Sequence, residues 1–599
     1  MRFKSMISEK PFVRRRHSWM NYAVQFALLL GAFQLVASGQ SSKPKPQLPK
    51  VYLNTTWAPP TGGNTWAVHT SAQLSGALTN SVPGDIIVLD AGATYNGYFQ
   101  LPPKSNPSGK WIYIMSSGIA NLPAGTRVGP AVTKYMAKIV TPGVAADFQV
   151  NGGANHYRLA GLELTSASTQ GCNPNHTPPI NCFSYFLVGS QANPTPMPDS
   201  ITIDRCYIHG SPSIDIQTAV QATASNYAVV DSYISEVHMT AVDTQAIASN
   251  IGPGPFKIVN NFLSAAGENI MFGGSGGWSN TKIPSDIQIQ NNYLYKPLSW
   301  AVAGTGGTLS PSNQWVEKNA FELKNAQRVL FDNNVIENVW AAGQNGFAIV
   351  LTVRSSQSGD TAVVNDITIT NNVLKNVVSG FNSLAKDDQC GTSSYPNCHN
   401  PGSQDRWNIS NNVITFYDPK LPGGLRNVVW NISGGLNRLN NNTPGTTRDV
   451  VFQHNTAVSA ASTPCWNSIY FSSNGQSPPF PVAISNNIWI LDNALCDQPI
   501  GDWGYQGMNL TFYMGNPSTS PNDFAHRFYG NVMWVQPGVK AFTYPTSNLT
   551  PTAAFTYVNP SAFDYQLSTP YWTTTSDGQE SGVNNNNLPP GYAPPPDDQ

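Results

Sequence analysis

Charge is scarce in this chain. Of its 599 residues only 11% are Asp, Glu, Lys or Arg, and the formal net charge is −1. No basic field is available to hold a nucleic-acid backbone. Hydrophobic residues still make up 40% and aromatics 11%, which excludes a disordered chain. Cysteine is sparse too: seven residues, with no CxxC pair and no His-rich spacing, argue against structural zinc. Uninterrupted helix-forming stretches are missing, because 50 Gly and 47 Pro are scattered through the sequence. That composition suits many short strands joined by turns.

The amino terminus reads as a processing segment. "FVRRRHSW" is a positive n-region, "YAVQFALLLGAFQLVA" an apolar stretch, and "VASGQSS" offers small residues for cleavage. Residues 1–39 are thus expected to be a secretory signal, with an uncleaved N-terminal anchor as the alternative. Residues 40–50, "QSSKPKPQLPK" with its Pro and Lys, read as an extended, mobile linker. Export permits disulfides, for which Cys172 with Cys182, Cys390 with Cys398, and Cys465 with Cys496 are candidate pairs. Cys206 is left over and is expected to be a buried small residue.

A repeat organises the remainder. "ITIDRCYI" (201), "YAVVDSYI" (227), "FKIVNNFL" (256), "IQIQNNYL" (287), "VLFDNNVI" (329), "ITITNNVL" (367), "WNISNNVI" (407), "VVFQHNTA" (450) and "VAISNNIW" (482) share one pattern, with weaker copies at 157 and 527. About eleven copies at separations of roughly 25 to 45 residues are the mark of a solenoid or a propeller. Within each copy apolar residues alternate, a two-residue break carries the asparagines, and an apolar residue returns, which is strand, tight bend, strand. There is neither a leucine frame nor a four-strand blade with Asn-Gly hairpins. The expected fold is all-β, a single-stranded parallel β-helix of about eleven coils. One asparagine of each pair is expected in left-handed backbone space at the corner. The other points inward, so that Asn261, Asn292, Asn334, Asn372, Asn412, Asn455, Asn487 and Asn531 stack as a ladder, with Cys206 and Ser232 in the same register.

On these motifs the chain resembles the pectate-lyase-like superfamily of secreted right-handed parallel β-helix proteins. "AQLSGALTNSVPGDIIVLDAGATYNGYFQL" is similar to the usual entry into such helices, a cap helix over 71–81 followed by a first coil, and "VNPSAFDYQLSTPYW" is similar to a closing tail. The resemblance divides the chain into cap and first coils (51–150), β-helix body (151–565) and a partly disordered tail (566–599). It implies a secreted monomer, free of the membrane once the signal is removed, that meets an extracellular polysaccharide in a groove along one sheet. It leaves the reaction open, since lyases, hydrolases, epimerases and adhesins share the fold.

Alternation places the few charges. If Phe321 and Leu323 face the core, Glu322 and Lys324 project onto the groove face, with Arg354 outward one coil later; Glu268 opens the strand one coil earlier, and its face depends on the register. β-Elimination on a uronic-acid polymer must neutralise a carboxylate, remove the proton beside it and protonate the leaving oxygen. The resemblance implies Lys324 as base, Arg354 as the group holding the carboxylate, and calcium on Glu268 and Glu322, although the fuller "E-x-E" then "N-K-S" signature of such lyases is missing. His238 is a further candidate proton carrier. Asp243, Gln245, Trp300 and Trp315 are candidates for substrate binding, the tryptophans by stacking on sugar rings. A solvated Glu–Lys pair, and an Asp387-Asp388 pair that is only a loop feature, are the plain alternatives. The expected function is a polysaccharide lyase, with a non-catalytic adhesin or a hydrolase or epimerase as alternatives.

Overall fold

In the computed structural model the described residues run from 45 to 589 with gaps, among them 169–183, 275–282, 304–308, 355–360, 388–399, 473–487 and 501–527. The expected signal segment, Trp278, Asp388, Asn487 and the cysteines other than Cys206 and Cys496 lie outside the described residues. Among the described residues no helix is long and apolar enough to cross a membrane.

Three long parallel sheets of 14, 13 and 11 strands build the molecule. The chain visits them in turn: Ala326–Asp332 lies in the first, Val335–Val339 in the second and Phe347–Thr352 in the third, and Thr361–Thr370 returns to the first. Each strand pairs in parallel with its counterpart one coil away, as Val329 does with Ile287 on one side and Ile367 on the other. That is the topology of a parallel β-helix. Period-two alternation sends one side of every strand into a common core, where Phe321 stacks on Phe331 across the coil at 4.4 Å. At the start of the stack, helix α1 (Ser71–Asn80), capped by Thr70 and Gln73, buries Leu74, Ala77 and Leu78 in that core.

The corners carry the asparagines. Asn260, Asn291, Asn333, Asn371 and Asn411 have φ between 56° and 59°, the left-handed region that Asn tolerates. The following residue turns inward. Asn334 Nδ2 donates to Asn372 Oδ1 at 3.1 Å, and Asn292 donates to Asn334 Oδ1 from its backbone N at 2.9 Å and its Nδ2 at 3.0 Å. The same bonds join Asn261, Asn412, Asn455, Asn493, Asn531 and Asn548. Cys206 and Ser232 extend the stack at its other end, and Cys206 is a buried free thiol.

One register expectation is corrected here. Asn493 holds the step assigned to Asn487, because the strand that pairs with Val450–Gln453 is Ile488–Leu491, and the inward asparagine that follows it is Asn493. "ISNN" matches the motif locally, but pairing with the neighbouring coil decides the register.

The linker is also corrected. Gln47 N donates to Asp366, Lys50 N to Asp286, and Lys257 Nζ to Leu53 O, while the Arg158 guanidinium donates to Thr55 O and Thr56 O. The segment therefore lies as a strap across the outer face of the first sheet. Ten extended residues reach about 33 Å, and the six coil steps from Arg158 to Asp366 span about 29 Å, so an extended chain fits the run. At the other end of the stack, Val583 N and Asn584 N donate to Thr456 Oγ1 and Asn411 Oδ1, so this part of the tail is bonded to the coils.

Candidate active site

Six consecutive strands of the third sheet frame the site: β1 (Thr218–Ala222), β2 (Gln245–Ser249), β3 (Glu268–Phe272), β4 (Phe321–Leu323), β5 (Phe347–Thr352) and β6 (Ser379–Leu384). Met271, Glu322, Val350 and Asn382 are register partners in one outward column. An open pocket of about 520 Å³ lies over this column, lined among others by Lys318, Glu322, Lys324, Arg354, Asn382 and Asp387.

The charges arrive by a rule the strands explain. Lys324 lies one residue past the end of β4, Arg354 two past β5 and Asp387 three past β6, so successive coils deliver successive charges to one edge of the pocket. Arg354 N donates to Lys324 O at 2.9 Å, which fixes the first two as neighbours. Arg354 Nη1 is 3.1 Å from Asp387 Oδ1, and Lys324 Nζ is 3.5 Å from Glu322 Oε2. Gly274 makes room for the lysine: its φ is +93°, and a Cβ there would come within 2.7 Å of Lys324 Cδ.

Beneath Lys324 lies a buried acid pair. Glu268 is 0% and Glu322 2% exposed. Burial and the Glu322 charge raise the Glu268 pKa. Burial works in the same direction on Glu322, but Lys324, Lys318 and a hydrogen bond from Glu268 outweigh it and lower its pKa. The two neighbouring carboxyls are thus pushed in opposite directions, Glu268 up and Glu322 down. Lys318 Nζ donates to Glu268 Oε1 at 2.6 Å and to Asp243 Oδ2 at 2.8 Å. Burial opposes its charge, yet Glu268, Glu322 and Asp243 together raise its pKa above the ordinary lysine value. Gln245 Nε2 donates to the second Glu268 oxygen at 2.8 Å.

A calcium ion held by Glu268 and Glu322 does not fit these residues. Both Glu268 oxygens are engaged, one by Gln245 and one by Lys318, and the Lys318 ammonium sits between Glu268 and Asp243. Among the described residues no group of three or more His, Cys, Asp or Glu is arranged to hold a metal.

The structure thus brings Glu268, Glu322, Lys324, Arg354, Asp243 and Gln245 into one neighbourhood, Gln245 as a buried support and Asp243 at its edge. Three expected contacts are corrected. His238, expected at the groove rim, is 0% exposed. It stacks on Trp315 at 3.8 Å, meets Trp300 edge-on and bonds to Glu236. Trp300 and Trp315 pack with Trp340 and Val378 in a buried cluster behind the sheet, where neither presents a face to the pocket. Large apolar rings in the connections between the second and third sheets gain more by covering strand ends than by facing water. Lys318 was missed, and Asp387 was read as a loop feature. The signal that identifies Asp387 is its offset after β6, which continues the series of Lys324 and Arg354.

No family model matches the chain, and no curated protein sequence matches it. Solved structures do. The alginate lyase AlyGC of family PL6 is 13% identical with a TM-score of 0.49; the match covers 89% of this chain but only 58% of that one. The family PL6 polysaccharide lyase Pedsa3628 from Pseudopedobacter saltans is 12% identical, TM-score 0.43, over 88% and 99% of the two chains. The family 28 exopolygalacturonase of Yersinia enterocolitica is 11% identical, TM-score 0.34, over 70% and 76%. At these identities the likeness to these structures is one of fold alone. Lyases and a hydrolase stand side by side among them, so the reaction has to be argued from the site.

Proposed function

We propose that this protein is a secreted polysaccharide lyase that cleaves a uronic-acid polymer by β-elimination in the pocket of the third sheet. The observation that carries the reading is the convergence of Lys318, Lys324 and Arg354 from adjacent coils over the buried Glu268–Glu322 pair in one open pocket. Two fixed cations, Lys318 and Arg354, beside a water-exposed trough suit a polymer bearing a carboxylate on every sugar. In this reading Arg354, held by Asp387, and Lys318, held by Glu268 and Asp243, neutralise the substrate carboxylate. Lys324, as its amine, takes the adjacent proton. The carbon–oxygen bond to the next sugar breaks as the ring double bond forms, and the leaving oxygen is protonated from solvent or from the lysine. The carbohydrate-active character of the structural neighbours agrees with this reading.

The test is a panel of uronic-acid polymers followed by absorbance at about 232 nm, where the double bond left by elimination absorbs. The expected result is a rising signal with one polymer, reduced at least about 100-fold in Lys324→Ala and Arg354→Ala at unchanged thermal stability. No signal with any polymer refutes the lyase reading. A second reading has one observation in its favour: Glu322 and Asp387 both line the pocket, and hydrolysis of a glycosidic bond uses two carboxyl groups. New reducing ends without new absorbance would establish it in place of elimination.

A further inference from the structure

We infer that the Lys318 ammonium is a built-in cation that joins acids of successive coils and leaves no place for a divalent ion, so that the third-sheet site works without metal. Asp243 precedes β2, Glu268 opens β3 and Glu322 lies within β4. Carboxylate oxygens are the donors that a hard cation such as calcium takes, but among the described residues no three acids are arranged to hold one. The side chain that enters this set is lysine. Lys318 Nζ lies 2.6 Å from Glu268 Oε1 and 2.8 Å from Asp243 Oδ2, with only 11% of its side chain exposed. The remaining Glu268 oxygen accepts from Gln245, which is itself held by Thr218 at 3.3 Å. Asn319 Nδ2 donates to Glu322 Oε2 at 3.3 Å.

The bonds around Lys318 point the same way. Its ammonium already joins Glu268 to Asp243, and both Glu268 oxygens are taken. A divalent ion replacing Lys318 would have to expel a buried ammonium from two short bonds. A tethered cation also needs no capture from solution, so the positive charge that faces the pocket is present in every molecule. The inference rests on the proposed reaction only for its consequence in catalysis; the occupancy itself is tested without substrate.

The experiment is calorimetric titration of the full chain with calcium chloride, together with thermal unfolding in EDTA and in millimolar calcium, for the wild type, Lys318→Ala and Lys318→Arg. The wild type and Lys318→Arg are expected to give no binding heat and the same Tm in both buffers. Lys318→Ala is expected to melt lower in EDTA and to recover by about 2 °C or more in calcium, as the released Asp243 and Glu268 carboxylates accept the ion. Recovery of folded Lys318→Ala only from calcium-containing buffer supports the inference equally. Stoichiometric calcium binding by the wild type, or a wild-type Tm that rises in calcium, overturns it, as does a folded Lys318→Ala indifferent to calcium. If Lys318→Ala folds in neither buffer, the wild-type titration decides alone. A wild type that binds no calcium and cleaves no polymer would sink the lyase reading while leaving this one standing.

Discussion

Asn334→Ala should open the stack at one identifiable point. The side chain accepts from the backbone N and from Nδ2 of Asn292 at 2.9 and 3.0 Å. It donates to Asn372 Oδ1, Ile289 O and Asp332 O at 3.1, 3.0 and 3.1 Å. Truncation removes these bonds and leaves the Asn292 N–H buried without an acceptor. At about 1 kcal/mol per bond, plus the larger penalty for an orphaned buried donor, the loss is about 3–5 kcal/mol. Because a solenoid is stabilised between neighbouring coils, the loss should fall on the coils of Asn292 and Asn334 and fade beyond them. Hydrogen exchange resolved by peptide is the assay: the segment containing Asn292 should exchange faster by two to three orders of magnitude, with the helix α1 end unaffected. Asn333→Gly is the control, since it frees a corner residue at φ 57° and should change stability by less than about 0.5 kcal/mol. If Asn334→Ala were as mild as Asn333→Gly, the inward asparagines would not be holding the coils together.

Four further outcomes are expected. Asp387→Asn, which removes the charge that holds Arg354, should raise KM for a polyanionic substrate more than it lowers kcat, read from steady-state kinetics. His238→Phe should keep the stack on Trp315 and leave activity within about threefold of wild type; a loss of 100-fold or more would return the imidazole to the reaction. Burial raises the Asp286 pKa, but the Arg328 guanidinium outweighs it and holds the group below the ordinary carboxylate range. The folded state therefore binds fewer protons, so this stabilisation is complete above about pH 4 and is lost as pH falls through the folded value; Arg328→Asn should flatten the acid side of a stability–pH curve. Burial pushes Glu317 up to about 8 against the pull of Lys296, so its folded form keeps a proton that the unfolded chain releases. Its contribution is complete below about pH 4.3 and is lost as pH rises toward 8, and Glu317→Gln should remove that decline, measured as Tm against pH.

Arg328 shows how far local pattern reaches. Its φ of 53° puts it at a corner, and its bidentate pairing is to Asp286 of the preceding coil, a partner 42 residues away that no local pattern can mark. The tryptophans failed for a related reason. Sequence marks them as loop residues between coils, but whether such a ring faces a groove or closes a strand end depends on the path of the connection, which has no period.

The sequence by itself determined the coil. Alternation of apolar residues is imposed by the pleat, and the preference of Asn for left-handed backbone is a property of the single residue, so strands, corners and the inward column could be read one motif at a time. It also put Glu322 and Lys324 on the outer side of the third sheet. Only the tertiary structure decided which loop charges join them. Lys318 and Asp387 reach the pocket because stacking brings coil ends within one strand spacing of each other, about 4.8 Å. The same stacking chose Asn493 over Asn487, and it set Lys318 between Glu268 and Asp243.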